Sequence, residues 1–201
     1  MDSYYFIPDE KHVYLPARLV GKAPLSGIAN MTLMDEKNLA AKGKTVSVLI
    51  DRCIPIDDVG ILKDAPDDYI SLASVNEAAI LHNARKRFKE KKIYTSCGAV
   101  LMAINPFERI PNLYSPELMA EYRNSLSADL SSHVYVIPSR AYHSMCAFGR
   151  NQSLLISGES GAGKTEATKQ CLNFLAAIAG ASVQTTTISE AGSRQSRRKS
   201  R

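Results

Sequence analysis

The most explicit chemistry in the chain lies in eight residues, GESGAGKT, from Gly158 to Thr165. Gly158, Gly161 and Gly163 free the backbone to enter conformations that a Cβ forbids. Successive amide N–H groups can then converge on one anion, and a helix opening at the end of the motif adds its partial positive charge. Lys164 contributes a mobile cation and Thr165 a hydroxyl for a magnesium ion, so the GxxxxGK[ST] spacing describes a cradle for nucleotide phosphates. Glu159, Ser160 and Ala162 fill the remaining loop positions. A glycine turn ahead of a core helix would account for the glycines but not for Lys164 and Thr165 beside them.

Such a loop needs a strand before it and a helix after it. The run SLLIS (153–157) has strand character. From Lys164 to about Ala179 the pattern is helical, with Cys171, Leu172, Leu175 and Ile178 as an apolar stripe and Gly180 as its stop. Upstream, AVLMAI (99–104) reads as a strand covered on both faces, and HVYVI (133–137) as strand or extended chain before a short helix ending at Gly149. Ser115 and Pro116 mark the start of a helix over PELMAEYRNS. Ser74 and Glu77 have capping-box spacing ahead of another helix. Its Ala78, Leu81 and Phe88 share an inner face, while Arg85, Lys86, Arg87, Lys89, Lys91 and Lys92 face solvent or the helix end.

Residues 54–68, acidic and broken by Pro55, Gly60 and Pro66, read as a linker. Residues 13–53 hold short β-leaning runs split by Gly, Pro and Asn, the pattern of a small antiparallel barrel or sandwich. VSVLID (46–51) imitates the magnesium-positioning strand of phosphate-loop enzymes, but its hairpin-like surroundings favour a barrel strand.

Charge is concentrated at one end. Lys and Arg number 25 against 20 acids, and five of those cations fall in the last eight residues, RQSRRKSR, leaving 20 against 20 elsewhere. Residues 181–201 have too few large apolar side chains to offset the entropy of ordering and are expected to be disordered. Without interleaved aromatics, this basic tail points to no specific nucleic acid. Cys53, Cys97, Cys146 and Cys171 form no CxxC pair, so free thiols are expected. His12, His82, His133 and His143 form no metal or triad pattern and read as surface or satisfied histidines. No apolar stretch reaches the length of a membrane span.

Beyond the loop, NQSLLISGESGAGKTEATKQCLNFLA resembles the phosphate-loop region of the myosin motor head. DDYISLASVNEAAILHNARKRFKEKKIYT, VLMAINPFERIPNLY and HVYVIPSRAYHSM resemble further blocks of that head, in the expected order. The resemblance runs from about Val13 to Gly180. It implies an α/β, P-loop NTPase-type motor-head fragment (54–180), preceded by a 1–12 extension and a small β-barrel (13–53), and followed by the basic tail (181–201).

The resemblance further implies ATP and Mg2+ as ligands, actin filaments as the family's partner, and a place in the cytoplasm and cytoskeleton. By matching position, Asn105 and Pro106 begin the loop at the purine, Arg109 reaches the nucleotide, and Tyr114 lies against adenine. Glu159 and Ser160 stand in the phosphate loop, with Ser160 on the γ-phosphate side, and Thr165 is the magnesium ligand. Asn112 and Leu113 separate Pro111 from Tyr114 where many members have one residue, and Pro138 and Ser139 stand where Ala-Asp is common. The family's two γ-phosphate-sensing loops, NxNSSRFGK and DIxGFE, do not occur in these 201 residues. The expectation is therefore a truncated head, its tail from about Ala181 read from unrelated sequence. Two functions follow: an actin-activated Mg-ATPase motor represented by its N-terminal part, or a nucleotide-binding fragment without motor or actin-binding activity. A different phosphate-loop NTPase or small kinase is the remaining alternative.

Overall fold

The computed structural model describes residues 2–34, 41–124 and 130–180. They form two compact units, Met1–Met102 and Ala103–Arg201.

In the first unit, strands β1 (Tyr4–Asp9), β2 (Val13–Leu19), β3 (Ile28–Met34), β4 (Ala41–Leu49) and β5 (Ile54–Pro55) form one sheet in the order β4-β3-β2-β1-β5. Every neighbouring pair is antiparallel. Adjacent residues in a strand point to opposite faces, and here both faces are apolar. Phe6 joins a core with Met34, Leu62, Ala78 and Ala79, while Ile7 joins Ala17, Leu19, Ala29 and Met31. The first of these cores is completed by a one-turn helix α1 (Gly60–Lys63), which buries Leu62, and by α2 (Glu77–Lys89).

Three expectations change here. The sheet starts at Tyr4, inside what reads as an extension, because β1 pairs with β2 along its whole length. Residues 54–63 are not a bare linker, since Ile54 pairs with Phe6 and Leu62 is core. Among the described residues β4 and β5 are open edges, so the sheet is not closed into a barrel.

Helix α2 differs from its sequence reading in two ways. Its cap is Asn76, whose side-chain oxygen accepts the Ala79 N–H at 2.9 Å, while Ser74 accepts from the Asn76 amide at 3.2 Å. More importantly, part of the expected solvated cationic face is turned inward. Arg87 is only 5% exposed and donates to Thr95 Oγ1 (2.9 Å), Ala65 O (3.2 Å), Tyr94 O (2.8 Å) and the Asp67 carboxylate. Lys86 donates to the carbonyls of Leu62 and Lys63. Arg85 reaches His12 O (2.6 Å) and Tyr14 O (3.2 Å), on either side of Val13. Val13 has φ of 61°, a left-handed conformation that a β-branched residue resists, and Arg85 grips both of its flanks.

The first unit ends in a hairpin, β6 (Tyr94–Cys97) and β7 (Val100–Ala103), turned through Gly98 at φ +59°. β7 lacks the double cover expected of AVLMAI, for Val100 is 67% exposed and β6 is its only strand partner among the described residues.

In the second unit, α3 (Pro116–Asn124) is capped by Ser115, whose hydroxyl accepts the Leu118 N–H at 3.2 Å. Helix α4 (Val136–Phe148) ends at left-handed Gly149. HVYVI is therefore not a strand. The Val136 N–H bonds back to His133 O at 3.1 Å, starting a helical turn, and Pro138 sits in the first turn, where its missing N–H costs nothing. A third helix, α5, covers 164–180. Residues 151–159 carry no strand pairing, and Leu155 is 94% exposed. The observed content is mixed helix and antiparallel sheet with one isolated parallel bridge, Asp68 with Ser96. The parallel sheet of an α/β class does not form among the described residues. The expected disordered tail, 181–201, lies outside them.

Candidate functional site

Residues 158–165 form an exposed turn that runs straight into α5. All three glycines have positive φ: 149° at Gly158, 80° at Gly161 and 98° at Gly163. A Cβ on Gly161 or Gly163 would meet nothing within 4 Å, so these two positions require conformation rather than room. Gly158 is different, because a Cβ there would stand 3.2 Å from the Ala162 Cβ. The Glu159 carbonyl accepts from the Ala162 N–H at 3.2 Å, and the Gly163 carbonyl from the Ala167 N–H at 2.9 Å, which begins the helix ladder.

Lys164 turns its ammonium back over the loop and donates to Gly158 O and Glu159 O, both at 2.8 Å. Thr165 is exposed in the first helical turn, and Glu159 and Ser160 are exposed on the loop. The residues present thus fit a phosphate group, offering backbone turned by three left-handed glycines, one lysine held by the loop itself, and a helix N-terminus.

Asn105 is brought to this loop. Its Nδ2 donates to Gly161 O at 2.7 Å, and its Oδ1 accepts the Phe107 N–H at 2.9 Å, which accommodates Phe107 at φ 52° around Pro106. Arg109 is exposed on the same segment. Tyr114 is half-buried, and its ring meets His133 (5.9 Å between centroids) and Tyr135 (6.4 Å). Asn112, two residues before it, has φ of 60°.

Three residues of this neighbourhood escape a reading by motif. His133 is 3% exposed, with Nε2 2.9 Å from Leu113 O and Nδ1 accepting the Tyr135 N–H at 3.2 Å. Burial pushes its pKa down to about 4, so it is neutral at pH 7 and its one ring proton belongs on Nε2, donated to Leu113 O. Tyr135 stacks on Phe174 of α5 at 5.1 Å and donates to Gln170 Oε1 at 3.4 Å. Gln170 is oriented in turn by Glu166, one turn earlier, at 2.7 Å. Burial, with the neighbouring Tyr114, raises the Tyr135 pKa and keeps its hydroxyl a donor. The only hint in the sequence is a histidine set between a serine pair and an apolar run.

Cys171 is buried on α5 with its thiol pKa raised by burial, whereas Cys97 and Cys146 are exposed. Among the described residues no three or more His, Cys, Asp or Glu side chains gather as a metal site, and no helix is long and apolar enough to cross a membrane.

Comparison with known proteins identifies the family. The family described as "Myosin head (motor domain)" matches residues 66–195, and so extends beyond Ala181, where the sequence reading puts a break. The chain is 48% identical over 120 residues, 60% of its length, to the high molecular weight form of myosin-1 of Acanthamoeba castellanii. It is 41% identical over 144 residues (72% of its length) to Myosin-6 of Arabidopsis thaliana, and 44% identical over 132 residues (65%) to the Myosin-H heavy chain of Dictyostelium discoideum. The matched regions cover 8%, 10% and 7% of those relatives respectively.

Proposed function

We propose, on the premise that this chain belongs to the myosin motor-head family, that its second unit binds MgATP, with residues 158–165 around the phosphates and segment 105–114 beside the rest of the nucleotide. The observation that carries this reading is the joint geometry of the loop: three left-handed glycines at the mouth of α5, with Lys164 tied, among the described residues, to the loop's own carbonyls. Those bonds can be exchanged for bonds to phosphate oxygens, which as charge-assisted contacts are the stronger ones. Backbone N–H groups and the α5 N-terminus supply the fixed positive potential. Thr165 is the residue that would hold Mg2+, and the ion, when bound, would supply positive charge to offset that of the phosphates. Asn105 keeps the Gly161 peptide oriented through its carbonyl. Arg109 and the ring of Tyr114 are the groups of segment 105–114 suited to the sugar and base. For the whole protein the proposal is a cytoskeletal motor whose ATP hydrolysis is activated by actin filaments.

Equilibrium binding of MgATP to the purified chain tests the site. Lys164→Ala is expected to weaken binding by about 10- to 100-fold, the loss of a charge-assisted interaction of about 1.5–3 kcal/mol. Binding that survives the substitution, or no binding by the unsubstituted chain, rejects the site. Phosphate release with and without filamentous actin tests the motor reading, for which stimulation by actin is the required result.

A further inference from the structure

Segment 105–114 is fastened at both ends. At the first, Asn105 donates to Gly161 O within the phosphate loop. At the second, His133 Nε2 lies 2.9 Å from Leu113 O, the carbonyl just before Tyr114. His133 is itself fixed by the Tyr135 N–H on Nδ1, by Tyr135 edge-on at 4.5 Å and by Tyr122 of α3 at 5.0 Å. Tyr135 in turn stacks on Phe174 and reaches Gln170, both on the helix that begins at Lys164. A continuous set of packed rings and hydrogen bonds therefore joins the far end of the segment to the helix that opens at the phosphate loop.

We infer that His133 is a positioning residue for the part of the ligand beyond the phosphates: by holding Leu113 O and packing on Tyr135, it sets where Tyr114 stands relative to the phosphate loop. This rests on the nucleotide-binding reading and deepens it. The segment has a particular need of such a fastening. Asn112 takes the left-handed turn that asparagine tolerates, but an exposed turn of this kind does not by itself fix the direction in which Tyr114 leaves it. A ring that must present a defined face to a ligand loses affinity when its backbone can wander.

The test compares two probes, MgATP and magnesium tripolyphosphate, in the full chain and in two variants. H133F fills the buried volume without a donor, and H133Q keeps a donor for Leu113 O. The unsubstituted chain is expected to bind ATP more tightly than tripolyphosphate. In H133F the ATP affinity should fall about tenfold with tripolyphosphate unchanged within about twofold, and H133Q should recover most of the loss. Equal affinity of the unsubstituted chain for both probes overturns the inference. So does an unchanged ATP-to-tripolyphosphate ratio in H133F, or parallel loss of both probes in both variants, which would mark His133 as merely structural. If H133F alone loses both probes, H133Q decides: retention of both supports the donor role, and selective loss of ATP in H133Q refutes it. Failure of the unsubstituted chain to bind either probe rejects the nucleotide reading itself, an outcome separate from all of these.

Discussion

Two cations, one in each compact unit, are held in opposite ways. Arg87 in the first unit is buried, and its acceptors come from residues 65, 67, 94 and 95, so one side chain sews a loop and a strand to a helix. Lys164 in the second unit has two acceptors, both carbonyls of the turn it belongs to. A guanidinium with a rigid fork matched by four oxygens is a part of the architecture. An ammonium resting on its own loop is a charge in reserve, free to change partners with little rearrangement. The first unit uses charge to tie distant segments together, and the second rests a cation on carbonyls of its own turn.

The largest effect should come from breaking the first arrangement. Arg87→Met leaves the Asp67 carboxylate and several buried oxygens without their donor, and should cost about 3–5 kcal/mol in urea denaturation followed by circular dichroism. Arg87→Lys restores the charge but not the fork, and should recover less than half of that loss. If Arg87→Met unfolds no more easily than the parent, the guanidinium is not structural.

A second prediction uses pH to single out the second unit. His133 has its pKa depressed to about 4 in the folded chain, against 6.5 when unfolded. Between those values the unfolded chain binds the additional proton, so stability is full above about pH 6.5 and declines as the pH falls towards 4, by on the order of 3 kcal/mol. Acid titration of the parent and H133Q should show this decline in the parent and a shallower one in the variant. Identical profiles would mean that the buried imidazole is protonated at little cost.

Third, Lys164→Ala should move stability by less than about 0.5 kcal/mol even as it removes nucleotide affinity, because its present partners are exposed carbonyls that water can satisfy. A stability loss comparable to that of Arg87→Met would erase the contrast between the two cations. The smallest effect returns to the first unit. Val13→Gly relieves the left-handed strain at the hairpin, and a gain of up to about 1 kcal/mol is expected, reduced by the greater freedom of glycine when unfolded.

The turn at 158–165 was legible because its backbone requirements are local. Glycine at 158, 161 and 163, then Lys164 and Thr165, is a pattern that backbone sterics and charge impose within eight residues. The Ser115 cap and the Gly149 stop were legible for the same reason. Arg87 was not, since its acceptors arrive from 65–67 and 94–95, and nothing in the helical pattern of 77–89 says that they do. The inner face was read from Ala78, Leu81 and Phe88, whereas the buried residues are Ala78, Ala79, His82, Asn83, Ala84 and Arg87. HVYVI misled because β-branched and aromatic residues favour strands. Its helical turn is imposed instead by bonds to His133, whose role depends on Leu113 and on a helix beginning 31 positions later. The runs AVLMAI and SLLIS have strand composition, but composition does not supply a neighbour to pair with.

The grip of Arg85 on the carbonyls beside Val13 also has a consequence in time. The hairpin of β1 and β2 is complete in sequence by Leu19, yet the residue that steadies its tip stands 73 positions after His12. A ribosome will have released the hairpin long before Arg85 emerges, so until α2 docks its tip has only local bonds, such as those from the Lys11 and His12 N–H groups to Asp9 Oδ1. Amide exchange at residues 12–14 should therefore be the last in the sheet to slow during refolding, and in Arg85→Ala it should remain fast to the end.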